Sequence, residues 1–109
     1  MPDLTCHEQD NGKTVEIKAE SRIAIDLKEN PTTGYKWTHP VFDEKVLALV
    51  SSEFRSGQGS GIGGGGIRQF VFIAKSQGKT SVELVNKRSW EKAEAATAKF
   101  RMTITIVKQ

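Results

Sequence analysis

The 109-residue chain has one cysteine, Cys6, so it can form no internal disulfide and build no cysteine-based zinc cluster. Histidine is almost as scarce. His7 and His39 are the only imidazoles, and neither has the company of a nucleophile with a base held by a third group. No apolar run approaches the roughly 18 residues of a membrane-spanning helix, so no membrane is expected as a partner. The opening residues, Met1 to Cys6, carry neither a basic region nor an apolar one, so no signal peptide is expected in this sequence. Compartment stays open: cytoplasmic or vesicular for the chain as written, periplasmic or secreted for a trimmed one. Neither sign of charge dominates, with 16 basic against 13 acidic residues. The basic side chains are dispersed among acids, as in Glu44-Lys45 and Glu91-Lys92, where a nucleic-acid binder would gather them on one face. No nucleic acid is expected as a partner.

What is present is alternation. Ile23, Ile25 and Leu27 are separated by Ala24 and Asp26 and flanked by Arg22 and Lys28, the period of a half-buried strand. The same pattern recurs at Val15-Glu16-Ile17, Phe70-Val71-Phe72 and Val82-Glu83-Leu84, and it is clearest through Phe100, Met102, Ile104 and Ile106. Turn signals separate these runs: Asn11-Gly12, Asn30-Pro31, a glycine-rich stretch over 57–66, and Gln77-Gly78. Glu91 to Lys99 has helix-forming composition without an apolar stripe, so it is expected to be a loop leading into the last strand. Phe42 to Val50 is expected to turn at Asp43 and then run as a strand from Leu47. The fold class is all-β, of sandwich or barrel type. A hydrophobic content of 37% over this length suffices for one modest core, so residues 1–109 are expected to form a single domain, with 1–12 flexible.

Catalytic motifs fail on inspection. Gly12-Lys13-Thr14 and Gly78-Lys79-Thr80 lack the glycine that a phosphate-binding loop needs five positions earlier, where His7 and Ile73 stand. Both triplets precede strands and read as hairpin turns. No helix follows the glycine run to offer its N-terminus to a dinucleotide. Cys6 and His7 are adjacent, so in extended chain their side chains diverge, and no metal site is expected. The chain is not expected to be an enzyme or to carry a cofactor.

Three loops remain. Asn30-Pro31-Thr32-Thr33-Gly34-Tyr35 is stiffened at Pro31, hinged at Gly34, and carries two small hydroxyl side chains between them. Ile62 is the one apolar residue in the glycine-serine loop. Trp90, flanked by Ser89 and Glu91 and close to Arg88, stands outside any apolar alternation, the composition of an exposed hot spot. Trp37 is expected on a central strand, packed inside.

These three segments resemble the motifs of the chagasin family of cysteine-protease inhibitors. The first is similar to the family's Asn-Pro-Thr-Thr-Gly loop. Gly63-Gly64-Gly65-Gly66-Ile67-Arg68-Gln69-Phe70 matches its G-x-G-G-x-x-x-F spacing, and Arg88-Ser89-Trp90 stands where the family has Arg-Pro-Trp. The order is that of the family, and the likeness runs from about Thr14 to Val107. The resemblance implies an immunoglobulin-like β-sandwich with three binding loops clustered at one end. It also implies a monomer that reversibly plugs the cleft of papain-like cysteine proteases such as papain and the cathepsins. By that likeness Asn30, Pro31, Thr32, Thr33, Gly34 and Tyr35 enter the cleft centre. Ile62, Gly63, Gly64, Gly65 and Gly66 lie along its non-primed side, and Arg88, Ser89 and Trp90 cover the primed side. Ser89 replaces a proline, which costs the third loop about 0.4–1 kcal/mol of preorganisation. An immunoglobulin-like adhesion module that binds a partner other than a protease is the alternative.

Overall fold

Alternating segments become strands wherever one face can be buried, and here two sets of them close on each other. The computed structural model describes residues 3–29, 34–56, 65–88, 90 and 98–108. Among these, one sheet has the order β1 (Leu4–Cys6), β3 (Arg22–Glu29), β6 (Gly66–Ala74), β5 (Leu47–Ser56). The other has the order β2 (Thr14–Lys18), β8 (Ala98–Val107), β7 (Gly78–Arg88), β4 (Tyr35–Trp37). Pairing is antiparallel except for β1 with β3 and β2 with β8, which are parallel. Inward residues of both sheets make one core. Ile23, Ile25, Leu27, Phe70 and Phe72 come from the first sheet, and Val82, Leu84, Phe100, Met102, Ile104 and Ile106 from the second. This is an all-β sandwich.

Several sequence expectations are met in detail. Asp43 makes the expected turn: its carbonyl accepts from Val46 and Leu47 N–H, and its own N–H donates to Thr80 Oγ1 at 2.8 Å. The strand that follows continues past Val50 to Ser56. A bulge between Leu49 and Ser51 leaves Val50 without a partner across the sheet, and half exposed. Gly12 has φ +85° in the turn before β2, and Gly78 opens β7, so both Gly-Lys-Thr triplets lead into strands as expected. Neither is the hairpin turn that was expected, because β1 and β2, like β6 and β7, lie in different sheets and each triplet follows a crossing between them.

Two further expectations are corrected. Trp37 is buried as expected, but β4 is a three-residue edge strand that among the described residues pairs only with β7. Its inward parity buries the ring whatever the strand's rank in the sheet. The segment before Lys13 is also built into the fold from Asp3 onward. Leu4, Thr5 and Cys6 pair with Ile23, Ala24 and Ile25, and residues 8–10 form a single 3-10 turn closed by His7 N–H donating to Asp10 Oδ2 at 2.8 Å. Three residues carry too little alternation to announce a strand. It is the parallel ladder with β3 that creates this one.

Cys6 is thereby a core residue, only 2% exposed. Burial, reinforced by the charges of Asp10 and Asp26, pushes its thiol up to about 11. The folded state therefore holds a proton that the unfolded thiol releases from about pH 9. This contribution to stability is complete below pH 9 and is lost as pH rises toward 11, by about 2 kcal/mol. Urea unfolding at pH 8 and pH 10.5 should show that loss in the native chain and not in Cys6→Ala. A thiol reagent at pH 8 should label Cys6 only at the rate of unfolding.

Candidate functional site

The strand registers place the anchors of all three loops at one end of the sandwich. In the first sheet Glu29 at the end of β3 pairs with Gly66 at the start of β6, which pairs in turn with Ser56 at the end of β5. In the second sheet Tyr35 at the start of β4 pairs with Arg88 at the end of β7, and Ala98 at the start of β8 pairs with Asn86. The connection over 30–34 crosses from one sheet to the other. The other two connections are hairpins, one within each sheet.

The crossover and the third hairpin share side chains. The Arg88 guanidinium lies over the Tyr35 ring, 4.6 Å from its centroid, and faces the Trp90 ring at 5.8 Å. Gly34 has φ +84°, a conformation that L side chains rarely adopt, and a Cβ there would stand 3.7 Å from Trp90 Cη2 and 3.8 Å from Arg88 Cγ. Those are ordinary contact distances, so it is the positive φ that calls for glycine where the end of the crossover meets Arg88 and Trp90. Trp90 is 74% exposed, the most exposed of the large apolar side chains among the described residues. A tryptophan held by a stacked arginine yet open to water is prepared to bury its face against something else.

Of the residues singled out from sequence, Gly34, Tyr35, Arg88 and Trp90 form this cluster. Gly65 and Gly66 lie at the first sheet's end, beside Glu29. Asn30, Pro31, Thr32, Thr33, Ile62, Gly63, Gly64 and Ser89 lie outside the described residues.

Sequence reasoning missed the group beneath the loops. Glu29 is 3% exposed, and each of its carboxylate oxygens is used. Oε1 accepts from Trp37 N–H at 2.9 Å, while Oε2 accepts from Arg68 Nε at 3.2 Å and Nη2 at 2.9 Å. The Trp37 indole N–H donates to the Lys28 carbonyl at 2.8 Å, and the Arg68 guanidinium faces Phe54 at 5.7 Å. The signal was present in parity. Position 29 continues the inward series 23, 25, 27, and position 68 precedes the inward series 70, 72, 74. Opposite charges at inward positions of neighbouring strands imply a buried pair.

No group of three or more histidine, cysteine, aspartate or glutamate side chains among the described residues could hold a metal ion.

Comparison with known proteins assigns the family. The family model of the chagasin family peptidase inhibitor I42 matches residues 16–104, most of the chain. The chain belongs to the chagasin family. Chagasin of Trypanosoma cruzi is 28% identical to this chagasin-family chain over 85 residues, covering 73% of it and 76% of the relative. Among solved structures, Amebosin is 26% identical with a TM-score of 0.80, over 98% of this chain and all of the other. The cysteine protease inhibitor EhICP2 of Entamoeba histolytica shares the fold at a TM-score of 0.85, with 24% identity over 98% of this chain and all of its own. The immunoglobulin-like sandwich implied by the motifs agrees with these structures, and the family is one of inhibitors rather than enzymes.

Proposed function

We propose that this protein is a reversible, tight-binding inhibitor of papain-like cysteine proteases that occludes the active-site cleft with the three loops at the Trp90 end. The observation that carries the reading is the cluster of Gly34, Tyr35, Arg88 and Trp90. It joins the first and third motif loops into one surface and leaves a large aromatic exposed on it. A relative by fold, PbICP-C, was solved in complex with falcipain-2, and it superimposes with a TM-score of 0.62 at 17% identity over all of this chain and 94% of the other.

In this reading Asn30 to Tyr35 form the central wedge, with Thr32 and Thr33 nearest the protease's catalytic cysteine and histidine. Papain-like enzymes attack a carbonyl presented in line with their thiolate. A wedge that approaches the thiolate without such a carbonyl blocks the cleft and is not cut. Gly63 to Gly66 permit the chain to run close along the non-primed wall with main-chain hydrogen bonding, and Ile62 fills an apolar subsite there. Arg88, Ser89 and Trp90 cover the primed side. Loops anchored on a rigid sandwich lose little freedom on binding, and three of them supply an interface of roughly 1,600 Å². The binding end must stay free, so the inhibitor acts as a single-domain monomer.

The test is a titration of active papain, followed by turnover of a fluorogenic peptide, with the full chain. Loss of activity at sub-micromolar inhibitor, relieved on dilution, is the expected result. Full activity at 10 μM against both papain and a cathepsin-like enzyme would favour an adhesion-type module on the same fold.

A further inference from the structure

We propose that Glu29, gripped by Arg68, is a positioning residue for the inhibitory end: it fixes both anchors of the 30–34 crossover and so sets the direction in which the central wedge leaves the sandwich. The inference rests on the inhibitor reading for its functional meaning, and on geometry alone for the clamp. Glu29 is the last residue of β3, immediately before Asn30, and Trp37 ends the short strand on which the crossover lands. The two belong to different sheets, and among the described residues no main-chain ladder joins those sheets at this point. What joins them is a carboxylate that accepts the Trp37 N–H and an indole that donates to the Lys28 carbonyl. The carboxylate is itself locked from the first sheet by the two-pronged Arg68 contact on its other oxygen, at 2.9 Å and 3.2 Å.

The charge makes better sense as a geometric device than as a source of stability. A buried ion pair returns little net stability over well-packed apolar side chains, because desolvation offsets the attraction. A leucine at position 29 would continue the apolar series of β3 and could not accept either bond. A carboxylate has two acceptor faces, and here one faces each sheet. The register provides the room. Glu29 pairs directly with Gly66, which has no side chain, so the carboxylate meets Arg68 two residues along the same strand.

The experiment compares Glu29→Ala and Glu29→Gln with Thr80→Val in the full chain. Thr80 is buried at the opposite end, where it accepts the Asp43 N–H, so its loss destabilises the fold without touching the clamp. Three quantities are read: melting temperature, dissociation rate from papain, and amide exchange at Gly34, Tyr35 and Trp37. Glu29→Ala should raise the inhibition constant at least tenfold, mainly through faster dissociation, and accelerate exchange at those amides by a similar factor. Glu29→Gln keeps an acceptor for Trp37 N–H and should fall between Glu29→Ala and the native chain. Thr80→Val, at a comparable loss of melting temperature, should leave inhibition within about twofold. Unchanged inhibition in Glu29→Ala beside an inhibiting native chain overturns the proposal, as does equal weakening in Thr80→Val. If the native chain fails to inhibit, the inhibitor reading falls by itself. Amide exchange then decides the clamp, since unaltered exchange at Trp37 in both Glu29 variants overturns it.

Discussion

Trp90→Ala is expected to weaken inhibition of papain about a hundredfold, a change near 2.7 kcal/mol in binding, while the melting temperature stays within about two degrees. The two halves of this prediction have separate causes. Trp90 is 74% exposed, so truncating it removes little surface that folding has buried. Among the described residues the indole meets the Arg88 guanidinium at 5.8 Å and Gly34, and Arg88 keeps its closer contact over Tyr35 when the indole is gone. In a complex the same ring can be desolvated on its open face, where large aromatics give alanine-scan effects of 2 kcal/mol and more. Inhibition constants from papain titrations, with thermal melts alongside, check both halves. Val41→Ala is the control: Val41 is 67% exposed and bridges Glu83 well away from the loop anchors, so neither quantity should move. A Trp90→Ala protein that inhibits like the native one would remove the third loop from the interface.

Gly66→Ala should produce the larger change in the fold, about 3 kcal/mol of lost stability and a melting temperature lower by roughly 10–20 °C. Gly66 is held between β3 and β5, paired with Glu29 on one side and Ser56 on the other. A Cβ added there would collide with the Arg55 carbonyl oxygen and come within 2.8 Å of Phe54 Cζ. The Phe54 side chain can swing aside about χ1, but the carbonyl belongs to the paired strand and cannot move without breaking the ladder. Gly65, one residue earlier, has among the described residues only the Glu29 carbonyl oxygen near a hypothetical Cβ, at 3.9 Å, an ordinary contact. Gly65→Ala should therefore change stability by no more than about 0.5 kcal/mol. Urea unfolding of the two variants separates a glycine needed for strand packing from one that the fold itself tolerates. Equal stabilities would mean that β5 and β6 can part at this end at little cost.

How much of this could be read from the chain varies with the range of the interaction. Ile23, Ile25 and Leu27, like Phe100 to Ile106, announced their strands because burial of one face imposes a period of two on neighbours in sequence. The turn at Asp43 was legible for the same reason, since a turn is closed by residues two to four apart. The motif loops were legible from composition, and the structure brings the described parts of the first and third together. Trp90 was correctly expected outside the core, and Trp37 inside it. β1 was not legible, nor was the burial of Cys6. A three-residue segment has too short a pattern, and what orders it is a parallel ladder to residues about nineteen positions away.

Sequence alone determined the all-β class, the identity and order of the loops, and the absence of any intramolecular disulfide, because these follow from residue type and short-range period. Only the tertiary structure decided that Glu29 meets Arg68 and Trp37, and that Arg88 stacks on Tyr35 beside Trp90. Parity could show that both charges of the clamp point inward. Which inward groups become neighbours depends on strand order and register, and these are set by the packing of the two sheets as a whole.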